Sequence, residues 1–268
     1  MSQWDATTFE AKDNLLSVLR TEAERLFALA ERPDDWLAQT ACTEWQVRDI
    51  VGHLVDTTEA YFVSFDAARG AGTAADPLGV RVFQDTANAG AQAFRSLSQD
   101  EMMQRLRGDF AKMMETFHGL GPDDWGGLVV PHKYMGPLPS FFYPVFQLMD
   151  YGVHSWDIRQ GTGKAHSLSG DTADLLAPFM FILWQATVDK APNEQYDVGI
   201  RVLGHGDYRV SVGPEGLSYE TGDVSDLPAT IEFDAGSLVL TAFGRVNAGT
   251  IRGDQETAEL FLNQFFRI

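Results

Sequence analysis

Apolar residues recur at three- and four-residue spacings through the first 190 residues, and beyond Pro192 that spacing gives way to short alternating runs. The first pattern is that of amphipathic helices, the second that of half-buried strands. Leu15, Leu19, Leu26 and Ala30 line one helical face, and the run ends before Pro33. A second helix is predicted from about Thr43, with TEWQ as a capping box. Its stripe is Val47, Ile50, Val51, Leu54, Thr58, Tyr61, Phe62 and Phe65, closed by Gly70 and Gly72. Further helices are predicted over 82–97, from a Ser98/Glu101 cap through Phe117, over 140–160 and over 171–190. Between them, Trp125, Pro131, Gly136, Pro137 and Pro139 mark a long loop, a kind often used for function. After Pro192, VGIRVL and YRVSV flank the turn HGD, and ATIEFD follows Gly213-Pro214-Glu215-Gly216. Helical pieces over 237–243 and 255–266 complete the chain. The expectation is an α+β protein of two domains: a helical bundle over 1–190 and a small α+β domain over 194–268.

Charge removes whole classes of partner. The chain carries 38 acidic against 20 basic side chains, a formal charge of −18, with no run of Lys or Arg. Phosphate backbones and anionic lipid surfaces both need such a basic footprint, so neither nucleic acid nor membrane is an expected partner. Cys42 is the only cysteine, which rules out an intrachain disulfide and fits a reducing cytoplasm. Nothing local activates that thiol, so it reads as packing. The N-terminal MSQWDATTFEAKDNLL is acidic and amphipathic, unlike a signal peptide. The longest apolar stretch, 175–188, contains Pro178 and Gln185 and is too short to span a bilayer. A cytoplasmic protein with a small-molecule substrate is expected; oligomeric state leaves no mark on the sequence.

Of six histidines, His53 and His154 sit inside strong helical patterns. Asp150 and His154 lie one turn apart on one face of a helix, flanking the stripe Phe142, Val145, Phe146, Met149, Val153 and Trp156. His53 flanks its own stripe in the same way. Two imidazoles and a carboxylate suit zinc, nickel or iron and leave a coordination position open. The Asp150/His154 spacing serves a helical ion pair equally well. His118, His132, His166 and His205 fall in loops and read as surface or turn residues. Met102, Met103, Met113, Met114 and Phe117 could line an apolar pocket, but read first as core.

TEWQVRDIVGHL, followed much later by MDYGVHSWDIRQGTG, resembles the DinB-like metal-binding superfamily. Within it the chain is most similar to the mycothiol-dependent maleylpyruvate isomerase family. AGSLVLTAFGRVNAGTIRGDQETAELFLNQFF resembles the end of the sterol-carrier-protein-like second domain found there. The resemblance covers nearly the whole chain. It implies a DinB-like helical bundle followed by a small sterol-carrier-like α+β domain. It also implies one divalent metal, most readily Zn2+, on His53, Asp150 and His154. The family usually has Glu where this chain has Asp150, so reach to the metal is shorter by a methylene. Asp157 is the rival carboxylate; the resemblance gives it a supporting role, with Arg48 a candidate ion-pair partner.

The resemblance further implies mycothiol, or another low-molecular-weight thiol, as a cofactor. The expected function is maleylpyruvate-type cis-trans isomerisation, or transfer of the thiol to a small electrophile. A metal dication favours the thiolate form that either reaction needs. The alternative is a non-catalytic small-molecule or lipid-binding protein with a structural metal. The resemblance also brings the second domain into catalysis through Arg245 in the GRVN turn, where Gly244 and the 247–249 stretch let the backbone bend. A planar fork of donors there suits a substrate carboxylate or developing enolate. Arg252 is the runner-up for that role.

Overall fold

The computed structural model describes residues 2–164, 167–189 and 192–266. His166, read above as a surface or turn residue, and Lys190, the expected end of the 171–190 helix, lie outside the described residues. The chain divides into two compact units, Met1–Leu168 and Ser169–Ile268. The domain break expected at 190–194 therefore differs from the divide between units, because the helices over 170–187 fall in the second one.

The first unit is built on four long helices: α1 (Lys12–Ala30), α2 (Val47–Ala68), α4 (Gln99–His118) and α6 (Phe142–Gly161). A shorter helix, α3 (Phe83–Ala93), lies against α2, and α5 (Pro122–Gly127) precedes a hairpin of β1 (Val129–His132) and β2 (Gly136–Pro139). The apolar stripes become the core: Leu15, Leu19 and Leu26 of α1 and Val47, Ile50, Val51 and Leu54 of α2 are fully buried. Each such side chain contributes roughly 2 kcal/mol of transfer free energy. Phe27, Phe110 and Tyr151 meet edge to face at 5.2–5.9 Å and join α1, α4 and α6.

The start of α2 differs from the sequence reading. The box is not Thr43 with Gln46; Gln46 is itself the N-cap, and Asp49 three residues on accepts from the Gln46 N–H at 2.9 Å. TEWQ belongs to the loop before the helix, held by the Gln39 amide, which donates to the carbonyls of Cys42, Thr43 and Trp45. At α4, in contrast, Ser98 and Glu101 form the expected reciprocal cap. The long loop expected through Trp125, Pro131 and Pro139 also carries more structure than its prolines suggested. Val129 pairs with Pro139 and His132 with Gly136, whose φ of +80° makes the turn. Prolines 131, 137 and 139 suit a two-stranded ribbon, where a missing N–H breaks no continuous ladder.

In the second unit, α7 (Gly170–Leu176) and α8 (Met180–Thr187) replace one expected helix, interrupted at Pro178. A five-stranded sheet follows in the order β5 (Gly216–Thr221), β4 (Gly206–Gly213), β3 (Tyr196–Val202), β6 (Ala229–Phe233), β7 (Thr250–Gly253). Only the β3–β6 pair is parallel. Strands β5 and β7 were not read from the sequence. Both are edge strands with largely exposed residues, so they lack a continuous apolar pattern. Two helices, α9 (Ala235–Ala242) and α10 (Gln255–Leu262), complete this unit, each capped by an aspartate, Asp234 and Asp254. Among the described residues, no helix is long and apolar enough to cross a membrane.

Candidate metal centre

Helices α2 and α6 bring His53, Asp150 and His154 together. Their candidate ligand atoms all lie within 4.8 Å of one another. Both imidazoles are buried, whereas the Asp150 side chain keeps 20% of its surface exposed, so the cluster opens on the carboxylate side. His53 Nε2 stands 3.7 Å from Asp150 Oδ1, beyond hydrogen-bond reach. The intrahelical Asp150–His154 ion pair allowed by the spacing does not form; His154 pairs with Asp157 instead.

That second pair sets the chemistry of His154. Its Nδ1 lies 2.9 Å from Oδ2 of the fully buried Asp157. A carboxylate accepts only, so Nδ1 carries the proton and Nε2 presents its lone pair. Burial pushes the His154 pKa down, against the upward pull of the Asp157 hydrogen bond. The neutral imidazole is the form that a metal needs. Asp157 also accepts from the Cys42 thiol at 3.1 Å, and its main-chain carbonyl accepts from Ala41 N–H. Cys42 is half-buried and works as a hydrogen-bond donor, more than the inert packing expected of it.

Trp45 was not singled out in the sequence, yet it shapes the cluster. Its ring lies 4.9 Å from the His53 ring and 5.6 Å from that of His154, and its indole N–H donates to Asn88 of α3. Read as a capping segment, TEWQ gave no reason to look for Trp45 over the histidines. Phe83 adds an edge contact to His53 at 6.5 Å. The imidazoles are thereby packed against an apolar roof that limits rotation and excludes water on that side.

Cys42, His154 and Asp157 form a second geometrically possible donor group. They are already hydrogen-bonded to each other, so a metal there would first have to break those bonds. The His53, Asp150 and His154 donors converge without bonding one another, which fits a cation. His118 lies exposed against Arg20, and His205 of the second unit stands 3.1 Å from Asp174. His132 borders the hairpin turn at the end of β1, half-buried among aromatic rings.

Arg245 lies in the second unit, just past α9. Gly244 adopts φ +65°, and Arg245 N–H returns to the Leu240 carbonyl at 2.9 Å. The bend is the one expected, but the half-buried guanidinium folds back, donating to the Phe243 carbonyl at 3.0 Å. Arg252 is exposed and paired with Glu232 at 3.0 Å.

The sequence profile described as the mycothiol maleylpyruvate isomerase N-terminal domain matches residues 19–159. That is more than half of the chain and spans His53, Asp150, His154 and Asp157. A search of the curated proteins finds no match. Among solved structures, a crystal structure of the mycothiol-dependent maleylpyruvate isomerase aligns with a TM-score of 0.64 at 12% identity, covering 97% of this chain and 99% of that one. A variant of that enzyme with a histidine replaced by alanine aligns with a TM-score of 0.65 at 11% identity and the same coverage. Such low identity carries the fold, an α+β arrangement along the full length, and the profile carries the kinship. The chain belongs to the family of the mycothiol maleylpyruvate isomerase N-terminal domain.

Proposed function

We propose that this chain is a metal-dependent isomerase that uses a small thiol, mycothiol by family, to interconvert cis and trans forms of an unsaturated oxo-acid of the maleylpyruvate type. One observation carries the metal part: three buried or half-buried donors, His53, Asp150 and His154, converge without satisfying one another. The donor set of two imidazoles and a carboxylate fits zinc with a position left over for a ligand. A dication bound there supplies the charge that keeps a thiol deprotonated at neutral pH.

The chain's own residues prepare that site. Asp157 holds the His154 ring so that Nε2 faces the cluster. Trp45 closes the apolar side, leaving the half-exposed Asp150 edge for thiol and substrate. Asp150 stands in the cluster despite being shorter than the usual glutamate, which supports direct ligation over a water-mediated contact. Arg245 is retained from the family resemblance as the proposed group for a substrate carboxylate.

Elemental analysis joined to a turnover assay tests the proposal. The purified protein is expected to hold close to one divalent ion per chain and to isomerise maleylpyruvate only when thiol is added. His53→Ala and His154→Ala should each lose most of the metal while the helical circular dichroism persists. Full metal retention in both variants, or turnover without thiol, would contradict it.

A further inference from the structure

His132 presents an arrangement that the metal cluster does not use. The hairpin turn aims the backbone N–H groups of Tyr134 and Met135 at its Nδ1, at 3.3 and 3.2 Å. With two donors directed there, Nδ1 must be the acceptor, so the ring proton sits on Nε2. Among the described residues, Nε2 makes no hydrogen bond. The ring is fixed by its surroundings: Tyr61 at 6.1 Å, Tyr134 and Tyr143 at 6.0 Å and Phe146 at 5.2 Å. Tyr143 further clamps the strand, donating to the Pro131 carbonyl at 2.8 Å.

Its neighbours place His132 beside the metal cluster. Phe146 precedes Asp150 by one turn of α6, about 6 Å of helix rise, and Tyr61 follows His53 by eight residues on α2, about 12 Å. His132 therefore packs against residues of the same two helices that carry His53, Asp150 and His154. The Asp150 carboxylate acts on its titration, yet burial prevails and holds the pKa at about 4. At neutral pH the ring is uncharged and its Nε2–H is a donor that does not give up its proton.

We propose that His132 is a substrate-contacting residue, donating from Nε2–H to a carboxylate or developing enolate oxygen of an unsaturated oxo-acid. The inference rests on the isomerase reading, and it adds to that reading the group that meets the negative oxygen. A neutral, preoriented donor holds a carboxylate oxygen of the bound substrate and strengthens as charge gathers on an enolate oxygen, so its loss weakens binding as well as slowing turnover.

The test is heteronuclear NMR of imidazole Nε2–H signals in the zinc-loaded full chain, titrated with maleate, beside two variants. His132→Asn keeps an acceptor for the two backbone N–H groups and loses the distal donor; His132→Gln puts a donor back near Nε2. The His132 signal, identified by its absence from His132→Asn, should move on maleate addition. Maleate should bind His132→Asn at least about tenfold more weakly and His132→Gln within about threefold of the parent. Metal content should not change in either. A His132 signal indifferent to saturating maleate overturns the proposal, as does His132→Asn binding maleate like the parent. If the maleate response holds while thiol-dependent turnover is missing, the donor role stands and the isomerase reading falls.

Discussion

Asp157 shows how much one side chain can settle. It is fully buried, and a buried carboxylate is costly unless hydrogen-bonded. It accepts from the imidazole of His154 and from the thiol of Cys42, so removal of the charge disturbs the ring of a proposed metal ligand while leaving the three proposed ligands in place. Asp157→Asn preserves the volume but offers an amide that can no longer fix the His154 proton unambiguously. Zinc affinity is expected to fall by about 10- to 100-fold, the scale of lost support behind a ligating histidine. Competition titration against a chelator measures it; unchanged affinity would make Asp157 a structural residue only. At this scale the sequence was informative where helical spacing applied: His53, Asp150, His154 and the supporting Asp157 stand on two clean helices. It was silent on Trp45, which stands in the irregular loop before α2, and it read His132, the last residue of β1, as a surface or turn residue.

The elements explain that silence. The loop before α2 has its course fixed by hydrogen bonds from Gln39 and Thr40 to carbonyls several residues ahead. Such bonds do not show in a residue pattern, so the helix start was read four residues early. The same loop passes Gly161 at the end of α6, where an added Cβ would meet the backbone of Gln39 and Thr40. Gly161→Ala must therefore push the loop away from α6. A loss of about 2 kcal/mol is expected from overpacking against backbone, read by chemical denaturation. Because the loop carries Trp45, metal binding should weaken with it; a variant as stable as the parent would show that the segment yields freely. The first turn of α2 is secured separately: Arg95 makes two hydrogen bonds, at 2.7 and 2.8 Å, to the buried Asp49, one turn before His53. Edge strands β5 and β7 escaped notice because exposure removes the alternation that identifies a strand.

At the scale of the whole molecule, the change from helical to alternating spacing was legible, and with it the α+β class. The placement of α7 and α8 was not, because an apolar helix carries no sign of which core it joins. Membership of the family follows from the first unit, whereas any catalytic part for the second unit hangs on Arg245. Arg245→Ala is expected to leave metal content and Tm nearly unchanged while kcat/KM falls at least about tenfold, roughly 1.4 kcal/mol of transition-state stabilisation. Intact turnover would return Arg245 to the role its contact with the Phe243 carbonyl describes, a brace of its own turn.

The central claim is a zinc-type site on His53, Asp150 and His154 that accepts a thiol. Its most direct test is X-ray absorption at the zinc edge of the loaded protein, before and after addition of mycothiol. Only nitrogen and oxygen ligands near about 2.0–2.1 Å are expected at first, with one sulfur at about 2.3 Å appearing once the thiol is added. A sulfur shell present before any thiol would move the metal to Cys42, His154 and Asp157, and a spectrum that mycothiol leaves unchanged would contradict a thiol-binding metal.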